Sequence, residues 1–144
     1  MHDIGKIGIS DSILLKPGRF NEEEWETMKK HTTFGVKILQ DNDDPLILTA
    51  KIIALTHHEK WDGSGYPNGI AGEGIPIEGR IVMLADVYDA LTMERPYKKA
   101  WSEEKTIEFI LSERGKSFDP QLVDLFTKLT PLSITFFILS LFYL

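Results

Sequence analysis

The residues best suited to chemistry are four histidines, at positions 2, 31, 57 and 58, together with Asp3 and Asp86. His2 is followed directly by Asp3, His57-His58 closes a strongly apolar run, and Asp86 sits in an otherwise apolar stretch. Imidazole and carboxylate together suit borderline divalent ions such as iron, manganese or zinc. Side chains from separate helices of a bundle can converge inside it and hold two metal ions. A carboxylate has two oxygens, so Asp3 could bridge two metals while His2 binds one of them. Any one of these histidines alone would read as an ordinary surface or core residue. The His57-His58 pair resists that reading, because two rings at the end of an apolar helix are costly without partners. Asp86 carries the same burden.

Around these ligands lie candidates for an anionic substrate. Lys6 falls one helical turn beyond Asp3, where its ammonium could hold a phosphate, although a solvated surface lysine fits the spacing as well. Arg95, Lys98 and Lys99 form a small basic cluster, the best local anion site of an acidic chain. Gly63 and Gly65 permit unusual backbone angles or close approach of backbone to ligand. Tyr66 could present a ring for base stacking; the plainer reading is a loop anchor packed on Trp61.

The elements that must position these groups read as helices joined by two long loops. Asn21 followed by Glu22-Glu23-Glu24 is an N-cap with acidic residues in the first turn, and Asn21 with Glu24 has capping-box spacing. Trp25 and Met28 begin an apolar stripe that Phe34, Ile38 and Leu39 resume after a kink expected near His31-Thr32-Thr33. Asp44-Pro45 opens the next helix, apolar nearly all round from Leu46 to Leu55 and therefore expected to be central. From Asp62 to Gly79 there are six glycines and two prolines, which predicts a long loop of functional type. Ile81, Leu84, Ala85, Tyr88 and Leu91 then follow helical spacing, with Asp86 and Asp89 on another face. Ser102 caps a helix that Gly115 ends, and Asp119-Pro120 caps the last one. No strand-like alternation persists and no internal repeat is present. The fold class is all-α, a helical bundle with one long Gly/Pro-rich loop.

Composition narrows the function. With 144 residues, the chain can hold one ordinary domain, and 42% apolar and 10% aromatic residues exclude global disorder. Zero cysteines exclude disulfides, cysteine-ligated metals and a thiol nucleophile. A formal net charge of −6 argues against duplex nucleic acid as a partner, because that needs a broad basic face. Met1-His2-Asp3 lacks the features of a secretory signal. The 16 residues from Leu129 to Leu144 carry no charge. As a helix they would reach about 24 Å, short of a hydrocarbon core of about 30 Å. A core-facing helix or sequence following a truncation is favoured over a membrane anchor.

Taken in order, these blocks resemble the HD-GYP family, a bacterial branch of the HD phosphohydrolase superfamily that hydrolyses cyclic di-GMP. The resemblance covers residues 1–129. It rests on His2-Asp3-Ile4-Gly5-Lys6-Ile7-Gly8-Ile9, on His31, on His57-His58-Glu59-Lys60-Trp61-Asp62-Gly63-Ser64-Gly65-Tyr66-Pro67, and on Ala85-Asp86-Val87-Tyr88-Asp89-Ala90-Leu91-Thr92 with Arg95-Pro96-Tyr97. It implies an HD-type bundle with a metal site from His2, Asp3, His31, His57, His58 and Asp86, Asp3 being the bridging carboxylate. Lys6, Arg95 and Lys98 would hold phosphate, and Gly65 and Tyr66 would border the nucleotide. Asp3 and Lys6 are thus the expected catalytic groups. The implied cofactors are two divalent ions, three in some members, with iron or manganese expected.

The implied activity is metal-dependent hydrolysis of cyclic di-GMP to linear pGpG, with GMP as a further product, in second-messenger signal transduction. Two ions about 3.5–4 Å apart would activate water and polarise the phosphoryl oxygen for in-line attack. Members are cytoplasmic and often follow a receiver or sensor domain, which is the partner expected upstream; a homodimer is left open. The family has a further histidine ligand on a helix before the His-Asp pair. Residues 1–129 therefore read as the domain without its first helices, and 130–144 as an apolar tail outside the pattern, with membrane contact left open. Sub-stoichiometric metal and weak or absent hydrolysis are expected of such a fragment. Ser10 stands where a proline is usual. A reading from another class is a non-catalytic module binding cyclic di-GMP or a signalling partner protein. The absent upstream ligand favours that reading, while His57-His58 and Asp86 oppose it. Hydrolysis of another nucleotide is disfavoured by Gly63-Ser64-Gly65-Tyr66-Pro67.

Overall fold

The computed structural model describes residues 1–39, 43–94 and 99–128. Among them every regular element is helical, with one isolated bridge between Arg114 and Phe118. The all-α expectation holds. A 3₁₀ turn at Ile4–Gly8 comes first, then α1 (Asp11–Leu14), α2 (Glu22–Lys29), α3 (His31–Ile38) and α4 (Pro45–Thr56). A second 3₁₀ turn at Gly72–Gly74 lies within the long loop, followed by α5 (Ile77–Thr92), α6 (Glu103–Ser112) and α7 (Pro120–Phe126).

Local chemistry explains where the helices start. Asn21 Oδ1 accepts from the Glu24 N–H and Glu24 Oε2 accepts from the Asn21 N–H, each at 2.8 Å, which satisfies two donors that an uncapped helix would leave open. Asp44 and Asp119 cap α4 and α7 through the N–H groups two residues on, with Pro45 and Pro120 at the first helical position. Ser102 Oγ accepts from the Lys105 N–H at the start of α6. The break between α2 and α3 falls at Lys30, directly before the His31–Thr33 segment where a kink was expected.

The apolar core lies between α5, α6 and α7. Met83, Leu84, Ile110, Phe118, Val123 and Phe126 form its buried cluster, with Val87, Tyr88, Phe109 and Leu122 packed against it. Arg80 ties α5 to α7, donating at 2.7 Å to Asp119 Oδ2, the oxygen not used in capping. Backbone bonds from Trp61 to Ser117 and from Asp62 to Lys116 fasten the start of the long loop to the α6–α7 connection.

The other half of the molecule is built by close backbone approach. The Ile4–Gly8 turn packs on α3, which packs on α4, which in turn packs on α5. Gly5 makes the first contact: a Cβ there would fall on the His31 carbonyl and the Gly35 amide. Only glycine lets the turn carrying Asp3 lie this near to α3.

The expectation that α4 is central needs correcting. Ala50, Ala54 and Thr56 are buried, but Leu46 is 56% and Leu48 42% exposed. An all-round apolar helix has no polar stripe to reveal which side its neighbours leave uncovered. The tail 130–144 lies outside the described residues, as do Arg95 and Lys98. Among the described residues no helix is long and apolar enough to cross a membrane.

Candidate metal centre

Four donors converge at the junction of the first turn, α3 and α4. One ligand atom from each of Asp3, His31, His57 and His58 lies within 4.8 Å of the other three. Asp3 precedes the Ile4–Gly8 turn, His31 is the first residue of α3, and His57 is the C-cap of α4. Their positions follow from the glycine contact at Gly5 and from where α4 ends.

The tautomers follow from the hydrogen bonds. His31 Nδ1 lies 2.8 Å from the Met28 carbonyl, and His57 Nδ1 lies 3.0 and 3.1 Å from those of Ile53 and Ala54. A carbonyl only accepts, so Nδ1 is the donor in both rings and Nε2 keeps a lone pair. Those two Nε2 atoms face each other at 3.3 Å. Two lone pairs this close in a buried site repel, and a cation shared between them removes the repulsion. Metal-binding histidines usually donate from their far nitrogen to such a carbonyl, which fixes the ring's orientation.

Electrostatics favours the same ligand state. Burial, reinforced by the neighbouring His2, pushes His57 down to about 4. Burial and the neighbouring His57 push His58 down to about 3, and burial also lowers His31. All three rings are neutral at pH 7, as metal coordination requires. Burial alone would raise the Asp3 carboxyl, but hydrogen bonds from His2 and Lys6, with their charge, outweigh it and hold the group well below the ordinary carboxylate range. Three neutral imidazoles and one carboxylate fit a divalent ion.

Asp3 turns its two oxygens to different groups. Oδ1 faces His31 Nε2 at 3.5 Å and His57 Nε2 at 3.8 Å. Oδ2 faces His2 Nε2 at 3.5 Å and Lys6 Nζ at 2.5 Å. His2 Nε2 in turn lies 3.6 Å from Asp86 Oδ1, which reaches in from α5. The arrangement has two lobes sharing Asp3, one with His31, His57 and His58 and one with His2 and Asp86. The six expected ligands thus lie together, although only four of them form the tight group.

The long loop closes one side. Gly63 has a φ of +82°, whereas Gly65 is needed for close approach, since a Cβ there would meet the backbone of residues 58–60. The Tyr66-Pro67 peptide is cis. Tyr66 stacks on His58 with ring centroids 4.7 Å apart, and Trp25 meets it edge-on at 5.8 Å. The indole of Trp61 has the Arg80 guanidinium 5.8 Å from its ring. A cavity of about 170 Å³ borders Tyr66 and Pro67 on the α2–α3 side, with Lys29, Lys30, Glu26 and Thr33 in its wall. Lys29 Nζ lies 5.8 Å from the Tyr66 ring.

Sequence reasoning passed over Trp25, Lys29 and Glu59. Nothing local distinguishes the first two, which belong to an ordinary amphipathic helix. Glu59 carried a signal, an acid directly after the His57-His58 pair.

Residues 1–122 match the HD domain family. A 3′3′-cGAMP-specific phosphodiesterase of Vibrio cholerae is 51% identical over 125 residues, covering 87% of this chain and 24% of that protein. A cyclic di-GMP phosphodiesterase response regulator of Xanthomonas campestris is 49% identical over 124 residues, 86% of this chain and 33% of that protein. A cyclic di-GMP phosphodiesterase of Thermotoga maritima is 51% identical over 129 residues, 90% and 35% respectively. The chain thus spans about a quarter to a third of the length of these relatives. A solved structure of a cyclic GMP-AMP-specific phosphodiesterase of V. cholerae superposes with a TM-score of 0.52 at 26% identity, over 81% of this chain and 26% of that one. A match over so much of the sequence means that the chain belongs to the HD domain family, in its HD-GYP branch.

Proposed function

We propose that this domain is a metal-dependent phosphodiesterase that opens cyclic di-GMP to linear pGpG, with GMP following from a second cleavage. The observation that carries the reading is Asp3, a buried-edge carboxylate with an imidazole lobe on one oxygen and an ammonium on the other. In this reading His31, His57, His58 and Asp3 would hold one divalent ion, and His2, Asp86 and Asp3 a second, with iron or manganese as the ions. Bound ions supply Lewis acidity, activating water and drawing charge from the phosphoryl oxygen.

The chain's own residues do the rest. The backbone carbonyls behind His31 and His57 fix both rings, so the donor set is organised before any ligand arrives. Lys6, 39% exposed at its side chain, offers its ammonium to a non-bridging phosphate oxygen and neutralises charge that builds up there. Tyr66 and Gly65 form the wall beside the nucleotide, and the adjoining cavity carries Lys30 together with Lys29, which is paired with Glu26 at 2.7 Å. Arg95 and Lys98, outside the described residues, are proposed as further phosphate contacts.

The relatives divide between cyclic di-GMP and 3′3′-cGAMP in their names, so the test must offer both. With Mn²⁺ or Fe²⁺ supplied, cyclic di-GMP should be converted to pGpG faster than 3′3′-cGAMP is opened, and His57→Ala should abolish both. Preference for 3′3′-cGAMP would reassign the substrate. Nucleotide binding without turnover in the metal-loaded protein would make the domain a binding module.

A further inference from the structure

Glu59 is 1% exposed, yet it is not one of the four residues whose donor atoms converge on the metal centre. Both of its oxygens are engaged by the long loop. The Asn68 N–H donates to Oε1 at 2.7 Å and the Ile70 N–H donates to Oε2 at 3.1 Å. Hydrogen bonds to a buried carboxylate are among the stronger ones a loop can make. They hold the chain just after Tyr66-Pro67. On the other side of the tyrosine, the Gly63 N–H donates to the Lys60 carbonyl, and the Tyr66 N–H donates to the His58 carbonyl at 3.1 Å. Tyr66 is therefore pinned from both directions, and the acceptors of these four bonds all lie within residues 58–60. The residue beside Glu59 is His58, the ring on which Tyr66 lies.

We infer that Glu59 is the positioning residue for Tyr66: its carboxylate fastens the loop that lays the Tyr66 ring on His58, and so shapes the nucleotide wall of the phosphodiesterase proposed above, on which this inference rests. Lacking Glu59, the loop N–H groups at 68 and 70 have no buried acceptor, and the stretch carrying Tyr66 loses its second attachment. Three of the metal ligands are held elsewhere: His31 by the Met28 carbonyl, His57 by those of Ile53 and Ala54, and Asp3 by the Gly5 contact, while His58 is fixed by its place at the end of α4 and covered by Tyr66. Loop placement is thus separable from the placement of those three ligands, and the separation can be measured.

Glu59→Gln keeps the shape and can satisfy one of the two N–H groups, but turns its own amide N–H₂ toward the other. Amide hydrogen exchange at Asn68 and Ile70 should accelerate and the Tyr66–His58 ring NOE should weaken, while metal per chain stays at the wild-type level. The KM for cyclic di-GMP should rise about tenfold or more with a smaller change in kcat. Bis(p-nitrophenyl) phosphate, too small to need the loop, should be hydrolysed at the wild-type rate. In a Tyr66→Ala background Glu59→Gln should add little, because it acts through that ring. Unchanged exchange and NOE, equal losses on both substrates, or full additivity with Tyr66→Ala would each overturn the inference. Glu59→Ala should show the same pattern more strongly; if it does not fold, the glutamine variant decides. A wild type that neither binds nor cleaves a cyclic dinucleotide would count against the proposed function alone, and exchange and NOE would then decide the role of Glu59.

Discussion

Lys6 Nζ lies 2.5 Å from Asp3 Oδ2, so the ammonium holds the oxygen that the second metal lobe would use. The same 3₁₀ turn that brings Lys6 one turn beyond Asp3 makes the contact local. In the proposed two-metal centre, lysine and a second ion would compete for one oxygen. Lys6→Met should leave metal per chain unchanged or higher while cutting cyclic di-GMP turnover about 10²–10³-fold, the usual loss when one donor to developing charge is removed. Elemental analysis beside turnover separates the two effects. Parallel loss of metal and activity would make Lys6 a structural clamp on Asp3.

The facing Nε2 atoms of His31 and His57 make the metal-free centre a strained donor set. Divalent ion should therefore stabilise the fold as it binds. Thermal unfolding with Mn²⁺ at a hundred times its Kd should show about 2.7 kcal/mol of added stability. His57→Ala should lose most of that increment. A wild type whose midpoint ignores the ion, or a variant that keeps the full response, would rule out a shared ion at this pair.

The depressed imidazoles give the metal-free protein a defined acid sensitivity. His57 at about 4 and His58 at about 3 lie below the ordinary 6.5 expected once the chain unfolds. Between those values the unfolded chain binds more protons than the folded one, so stability rises with pH there. It is complete above about pH 7, declines as pH falls through 6.5, and levels off only below the folded values. The unfolding midpoint of the metal-free protein should drop by at least about 5 °C between pH 7.5 and 4.5. A flat profile across that window would mean the rings are not held neutral.

Gly5→Ala tests how the centre is assembled. The new methyl would meet the His31 carbonyl and Gly35 amide, both backbone atoms with little freedom to move. Overpacking of this kind costs about 1–3 kcal/mol, and here it also displaces the turn that carries Asp3. Denaturant unfolding should show the loss, and Mn²⁺ titration should show weaker binding. Near-wild-type values in both would show that the turn can slide on α3 without disturbing Asp3.

Much of this was legible in the sequence because it is local. The caps at Asn21, Asp44, Ser102 and Asp119 depend on residues two or three positions apart, so spacing alone located the starts of α2, α4, α6 and α7, whereas α5 begins at Ile77, inside the stretch read as loop. The His2-Asp3 pair, His57-His58 and the Gly63–Pro67 segment were readable as blocks, since adjacent residues share a position wherever the chain goes. What spacing could not supply was distance between blocks. That Asp3 divides its oxygens between His31 and Lys6 depends on a backbone contact at Gly5, and a glycine does not announce which neighbour it admits. Tyr66 meets His58 and Trp25 because Glu59 draws the loop back onto residues 58–60, a closure made by two backbone donors that carry no side-chain signature. Leu46 and Leu48 stayed exposed for a related reason: apolar periodicity measures what a helix could bury, while the neighbours it meets decide what it does bury.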